Sequence, residues 1–166
     1  GVSPADTSTV YLLYGGTGCS PRNCCNGCPT QANCCGGCLV ANSPFFGFYR
    51  STNSGTSFSL RSSGCPNIFG YSQTGNDNRE QSSYDLTLAV SPTNIQEVHA
   101  GTINAYVSMD AGSTWTITSH WNETGGGSTI GYTHADIHVL EYNASNNNLY
   151  CGSDGGFYRT QDQGTT

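Results

Sequence analysis

Lysine is absent from this sequence, and charge of either sign is scarce. Only 10% of the residues are charged, against about 25% in an ordinary globular domain. All five cations are arginines: Arg22, Arg50, Arg61, Arg79 and Arg159. Eleven acids leave a formal net charge of −6. Grip on a phosphate backbone needs clustered Lys and Arg, so nucleic acid is not an expected partner. An anionic membrane surface is disfavoured on the same ground. No apolar run reaches the length of a helical membrane span, so none is expected. No stretch spaces apolar side chains at three and four, the mark of an amphipathic helix. No basic and apolar leader opens the chain, which reads as a mature chain or as an internal piece of a longer one.

What is present points to an ordered β protein. Twenty-two glycines would suit a disordered chain. The modest net charge and an 11% aromatic share, set in alternating runs, argue against disorder. Short β-type runs recur: Val10–Tyr14, Phe45–Tyr49, Tyr84–Val90, Val98–Gly101, Ala105–Val107, Thr114–Thr118, Ile137–Tyr142, Asn148–Cys151 and Gly156–Arg159. Turn residues such as Ser91-Pro92-Thr93-Asn94 separate them. The expected class is all-β.

Nine cysteines are too many for a reducing compartment unless they bind metal. Seven of them (Cys19, Cys24, Cys25, Cys28, Cys34, Cys35 and Cys38) crowd one segment, and Cys65 and Cys151 stand apart. The segment repeats itself as Asn23-Cys-Cys-Asn-Gly-Cys28 and Asn33-Cys-Cys-Gly-Gly-Cys38. Its Cys25/Cys28 and Cys35/Cys38 pairs have zinc-knuckle spacing. Disulfides fit an extracellular chain better, and they would staple a loop that has no core of its own. All nine are therefore expected as disulfide halves, the odd one pairing outside this chain.

An eight-residue unit recurs in register. Ser108-Met-Asp110-Ala-Gly112-Ser-Thr-Trp115 is one copy. Ser51-Thr-Asn53-Ser-Gly55-Thr-Ser-Phe58 is another, and Thr160-Gln-Asp162-Gln-Gly164-Thr-Thr166 a third, one residue short of its aromatic. Each follows an aromatic strand: Phe48-Tyr49-Arg50, Ala105-Tyr106-Val107 and Phe157-Tyr158-Arg159. Further strands precede those, so each period holds about four short strands, the content of a propeller blade. Local chemistry explains the unit. The Asp or Asn oxygen accepts from backbone N–H groups as an Asx-turn. The glycine supplies a positive φ. The aromatic residue starts the last strand and packs between blades.

The pattern Ser/Thr-x-Asp-x-Gly-x-Thr-Trp resembles the Asp-box, or BNR repeat. Sialidases, sortilin-type receptors, xyloglucanases and photosystem II assembly factors carry it on β-propellers. Tyr84–Pro92, His134-Ala-Asp-Ile-His138 and Gly152-Ser-Asp-Gly-Gly156 are similar to sortilin-like (VPS10-like) propellers of large bacterial surface proteins, many of them exported by the type IX route. The resemblance implies an incomplete propeller of about three four-stranded blades in one domain. Blade 1 spans about residues 8–63 with a Cys-rich insertion at 15–44, blade 2 about 84–120, and blade 3 about 134–166. Remaining blades would come from the same chain or from neighbouring copies. The resemblance also places the boxes at the blade periphery, which makes Asn53, Gly55, Asp110, Gly112, Trp115, Asp162 and Gly164 structural.

Two places invite chemistry. In an extended strand His134, Asp136 and His138 would share one face. That set would suit a divalent cation or acid–base work, and no other cofactor is expected. Trp121 and Tyr132 offer faces on which a sugar ring could stack, near Ser119-His120 and the pair Tyr84-Asp85. Their competing role is blade packing. Asn122-Glu-Thr124 and Asn143-Ala-Ser145 match the glycosylation sequon. No phosphate loop, G-x-S-x-G elbow or arginine triad is found. The composition favours a secreted or cell-surface module for binding, adhesion or assembly, with extracellular glycan or protein as partner and no catalysis. The alternative is a glycoside hydrolase resembling xyloglucanases, with Asp136 as a catalytic carboxylate.

Overall fold

A computed structural model describes residues 1–15, 43–122 and 130–164. Those residues form twelve strands and no helix. No helix among them is long and apolar enough to cross a membrane. The all-β expectation holds. The seven crowded cysteines lie outside the described residues.

The strands make three meanders. The first joins β1 (Val2–Ser3), β2 (Asp6–Gly15), β3 (Phe45–Ser51) and β4 (Ser59–Ser62) in that order. The second joins β5 (Thr87–Val90), β6 (Val98–Gly101), β7 (Ala105–Ser108) and β8 (Thr116–His120), with the short β9 (Gly131–Tyr132) parallel to β8. The third joins β10 (Ile137–Tyr142), β11 (Leu149–Ser153) and β12 (Gly156–Thr160). Sequential antiparallel order in each sheet is blade topology. The described residues form three blades of a β-propeller, and their sheets close no ring. Blade 1 opens earlier than residue 8, because Val2-Ser3-Pro4 repeats Val90-Ser91-Pro92 and pairs back onto β2.

The eight-residue unit follows the third strand of each blade and, in blades 1 and 2, leads into the fourth. Ser108 Oγ donates to Asp110 Oδ1 at 2.8 Å and accepts from Gly112 N at 2.7 Å. Asp110 Oδ1 accepts from the backbone N–H of Ser113 and Thr114 at 2.9 and 2.8 Å. Burial opposes ionisation of Asp110, but donation from Thr114, Ser108 and Ser113 outweighs it and holds the carboxyl below its ordinary value. Gly55 N and Gly164 N reach Ser51 Oγ and Thr160 Oγ1 at 2.9 and 2.8 Å. Asn53 Oδ1 and Asp162 Oδ1 accept from the same two hydroxyls. The fifth residue has φ of 85°, 83° and 84° at Gly55, Gly112 and Gly164. The fourth is left-handed as well, at Ser54, Ala111 and Gln163. Only the glycine is free of steric cost there.

Two apolar clusters lie between blades. Tyr11, Phe48, Val98, Tyr106 and Trp115 fill the first, with Phe45, Ile68 and Phe69 beside them. Ala89, Ile137, Leu140, Leu149 and Cys151 make the second. Cys151, expected as a disulfide half, is a free thiol. It is buried in that cluster, and burial pushes its thiol up to about 11. A neutral buried thiol behaves as a small apolar side chain.

Candidate functional site

The blades share one end that gathers their chemistry. The inner strands β5 and β10 start there, at Thr87 opposite Gly101 and Ile137 opposite Ser153. The tips joining β6 to β7 and β11 to β12 lie at the same end. The β2–β3 connection leaves it at Gly15 and returns at Phe45. This end is the rim, where loops meet outside the strand ends. The long connection from blade 1 to blade 2 is pinned across it. Thr102 Oγ1 donates to Ile68 O at 3.2 Å, and Asn104 Nδ2 to Gly70 O at 2.8 Å.

Asp85 and Asp136 occupy one repeat position, 51 residues apart, just before the two inner strands. Their surroundings differ. Asp85 is 0% exposed and neither carboxylate oxygen has a hydrogen-bond partner. Burial first, and Asp136 second, push its carboxyl up to about 7. Asp136 is half-buried and accepts from Gln81 Nε2 at 2.7 Å. Gln81 in turn accepts from the Tyr71 hydroxyl.

The expected shared face of His134, Asp136 and His138 does not form. Asp136 has φ of 65°, and β10 starts only at Ile137. A left-handed residue breaks the two-residue alternation on which the expectation rests. The three side chains part company. His134 packs against Gly155 and its Nδ1 meets Ala135 O. His138 Nε2 meets Asp154 Oδ1 at 2.8 Å. Among the described residues, no three His, Cys, Asp or Glu side chains gather as a cation site.

A second arrangement takes its place. Tyr84 donates to Asp154 Oδ2 at 3.1 Å, and its ring stands edge-on to His138 at 5.0 Å. Donation from His138 holds the Asp154 carboxyl below its ordinary value. Its hydrogen bond to Asp154 raises the Tyr84 phenol. Tyr84 is exposed. Trp121 lies further along the rim with its indole N–H on Tyr71 O at 3.0 Å, edge-on to the Tyr71 ring. Tyr132 packs instead against Tyr158. The rim thus presents carboxylates beside exposed aromatic faces. Gln81 and Asp154 were not singled out as site residues from sequence. Asp154 sits in a Gly-rich hairpin, and Gln81 in a segment with no periodicity. The one usable signal was the match between the Asp85–Asp136 spacing and the repeat length.

An apolar cavity of about 260 Å³ lies elsewhere, between blades 2 and 3. Ala105, Leu140, Leu149, Cys151 and Tyr158 line it, and no acid does.

No family model matches the chain. No curated protein matches it either. It is similar to the crystal structure of an ancestral GH74 enzyme, at 20% identity and a TM-score of 0.43, over 72% of this chain and 15% of that one. It is also similar to YCF48 bound to D1 peptide, at 14% identity and a TM-score of 0.29, over 72% of this chain and 45% of that one. The chain spans less than half the length of each of these proteins.

Proposed function

We propose that the chain is an extracellular β-propeller module that binds neutral glycan at its rim and does not turn it over, in an adhesive or assembly role. The observation that carries this reading is the exposed Tyr84 ring bonded to the Asp154 carboxylate, with the Trp121 ring exposed further along the same rim. A ring face stacks on a pyranose, and a carboxylate accepts from its hydroxyls. Five arginines and no lysine give little hold on an anionic ligand. The Asp-box resemblance, the cysteine content and the two sequons support a place outside the cell. The reading requires no cofactor.

Electrophoretic retardation in gels cast with xyloglucan or a β-glucan tests it, with released reducing sugar measured in parallel. Retardation that falls in Tyr84→Ala and Trp121→Ala, without sugar release, is the expected result. Unretarded migration in every neutral polysaccharide contradicts it.

A hydrolase is the second reading, favoured by one observation. Asp85 and Asp136 are acids of unlike environment, the device that separates a general acid from its partner carboxylate. It ranks second because Asp85 is fully buried and does not reach a glycosidic oxygen in this conformation. Sugar release abolished by Asp136→Asn would put it first.

A further inference from the structure

The connection from β4 to β5 has two halves that are held differently. The first is fastened from within. Ile68 and Phe69 are buried, and Asn67 Nδ2 donates to Asp77 O and Arg79 O, both at 2.9 Å. The second half, residues 80–86, belongs to no strand, because β5 starts only at Thr87. Side chains tie it to blade 3 instead: Gln81 donates to Asp136 at 2.7 Å, and Tyr84 to Asp154 at 3.1 Å. Tyr84 itself is 60% exposed.

That second half carries a carboxyl without a partner. Asp85 is 0% exposed, and neither of its oxygens is hydrogen-bonded. Its own backbone N–H is committed to Gln81 O at 3.0 Å, which also accepts from Tyr84 N at 2.7 Å. Among the described residues, the titratable groups that face Asp85 are Asp136 before β10, His138 on β10, Asp154 at the β11–β12 tip, and Tyr71 and Tyr84 on its own connection. Asp136 and Asp154 repel a negative charge there. His138, the group of opposite sign, gives its Nε2 to Asp154 at 2.8 Å. Arg79 of the same connection lies 5.6 Å over the Tyr71 ring.

A buried carboxylate with no donor, set beside like charge, is costly, whereas the neutral acid is tolerated. The cheapest relief for an ionised Asp85 is water. Water reaches it when the weakly tied half moves, without parting any strand from its neighbour.

We propose that residues 81–85 form a proton-gated latch on the rim, closed on Asp136 and Asp154 while Asp85 is neutral and released when Asp85 ionises. The hinge lies after Arg79, where the self-fastened half ends. Release takes Gln81 off Asp136 and Tyr84 off Asp154 in one movement, and it leaves the strands in place, so it is a local opening and not an unfolding. Burial first, and Asp136 second, set the working range, because they push the closed Asp85 carboxyl from an ordinary 3.8 up to about 7. Between those values the closed latch holds a proton that the open latch gives up. Opening therefore becomes easier by up to about tenfold per pH unit across that range and levels off above it. The device does not depend on what the rim binds.

Hydrogen exchange, expressed as protection relative to the unfolded rate at each pH, tests this. In the wild type, protection of the amides at positions 84 and 85 falls by up to about a hundredfold over two pH units approaching neutrality. Low urea leaves that protection unchanged, because a local opening exposes little surface, whereas the amides of β6 and β7 follow global unfolding and lose protection. In Asp85→Asn the two latch amides no longer respond to pH, and the β6 and β7 amides report that the variant is folded. Latch protection that is flat with pH in the wild type, that falls equally in Asp85→Asn, or that is lost only together with β6 and β7 overturns the proposal. So does millimolar calcium that restores latch protection at neutral pH, since a cation and not a proton would then neutralise Asp85.

Discussion

Two junctions join three blades, and they are filled differently. At the first, Tyr11 and Phe48 meet Trp115 in close contact. At the second, the equivalent positions hold His99 and Ala105, which precede Ser108 as Tyr11 and Phe48 precede Ser51 along the paired strands. His99 has turned polar work inward. Its Nε2 meets Glu97 Oε1 at 3.1 Å, and the Tyr142 hydroxyl donates to the same oxygen at 2.7 Å. Burial opposes ionisation of Glu97, but these partners outweigh it and hold its carboxyl below the ordinary value. Ala105 leaves the cavity of about 260 Å³ unfilled. The backbone of the turn is nearly identical at both junctions, while the side chains between the sheets are not. A repeat conserves the bonds that close each turn and leaves the packing between turns free to vary.

Trp115→Ala is expected to break the first junction most severely. It removes a large buried ring and the indole donor to Ser62 Oγ, at a cost of about 3–5 kcal/mol. Urea unfolding followed by circular dichroism measures it.

The two inner-strand acids give a second contrast, read as a pH dependence. The folded Asp85 carboxyl sits at about 7, above its unfolded value of 3.8. The stability this group contributes is complete below pH 3.8 and is lost as pH rises through about 7. Asp85→Asn removes that decline and stabilises the protein near neutral pH by up to a few kcal/mol. Asp136→Asn, at the same repeat position but bonded to Gln81, keeps most of the decline, because burial is its larger cause, and removes only the part that the Asp136 charge adds. Unfolding midpoints at several pH values separate the two. An equal decline in wild type and Asp85→Asn would contradict this assignment.

Glycine substitutions sharpen the junction comparison. A Cβ at Gly112 meets Phe48 at 2.0 Å, whereas one at Gly164 meets Thr118 at 2.8 Å. Both positions are left-handed, so both alanine variants lose stability, by about 1–3 kcal/mol. Gly112→Ala loses more. The smallest effect is a gain. Ala105→Val adds two carbons beside the cavity and should stabilise by roughly 1 kcal/mol, whereas Phe48→Val at the filled junction destabilises.

The fold was legible where the chain repeats. The eight-residue units located the third strand of each blade, and the fourth of blades 1 and 2, because hydroxyl, carboxyl or amide, and glycine act within a few residues of one another. The inner strand of blade 1 was missed, since two residues show no periodicity and only the Val-Ser-Pro match marks them. The site was legible in composition and wrong in geometry. His134, Asp136 and His138 read as one face under strict alternation, and the left-handed φ of Asp136 undid it. Asp, like Asn, tolerates that conformation, and nothing in the spacing announces it. The Gln81–Asp136 and Tyr84–Asp154 bonds span 55 and 70 residues. They depend on how the blades stand together, which local pattern does not encode. Cys151 was assigned by counting cysteines, whereas its position beside Leu149 in a junction strand decides its state.

The chain holds two tryptophans, one in a junction and one on the rim, which makes the central claim of a repeated blade packed through its turn edge open to one direct measurement. In Trp121→Phe the remaining emission belongs to Trp115. The account predicts a blue-shifted spectrum with weak acrylamide quenching, because that indole is wedged between Phe48 and Ser62. A red-shifted spectrum quenched as freely as a solvated tryptophan would contradict it.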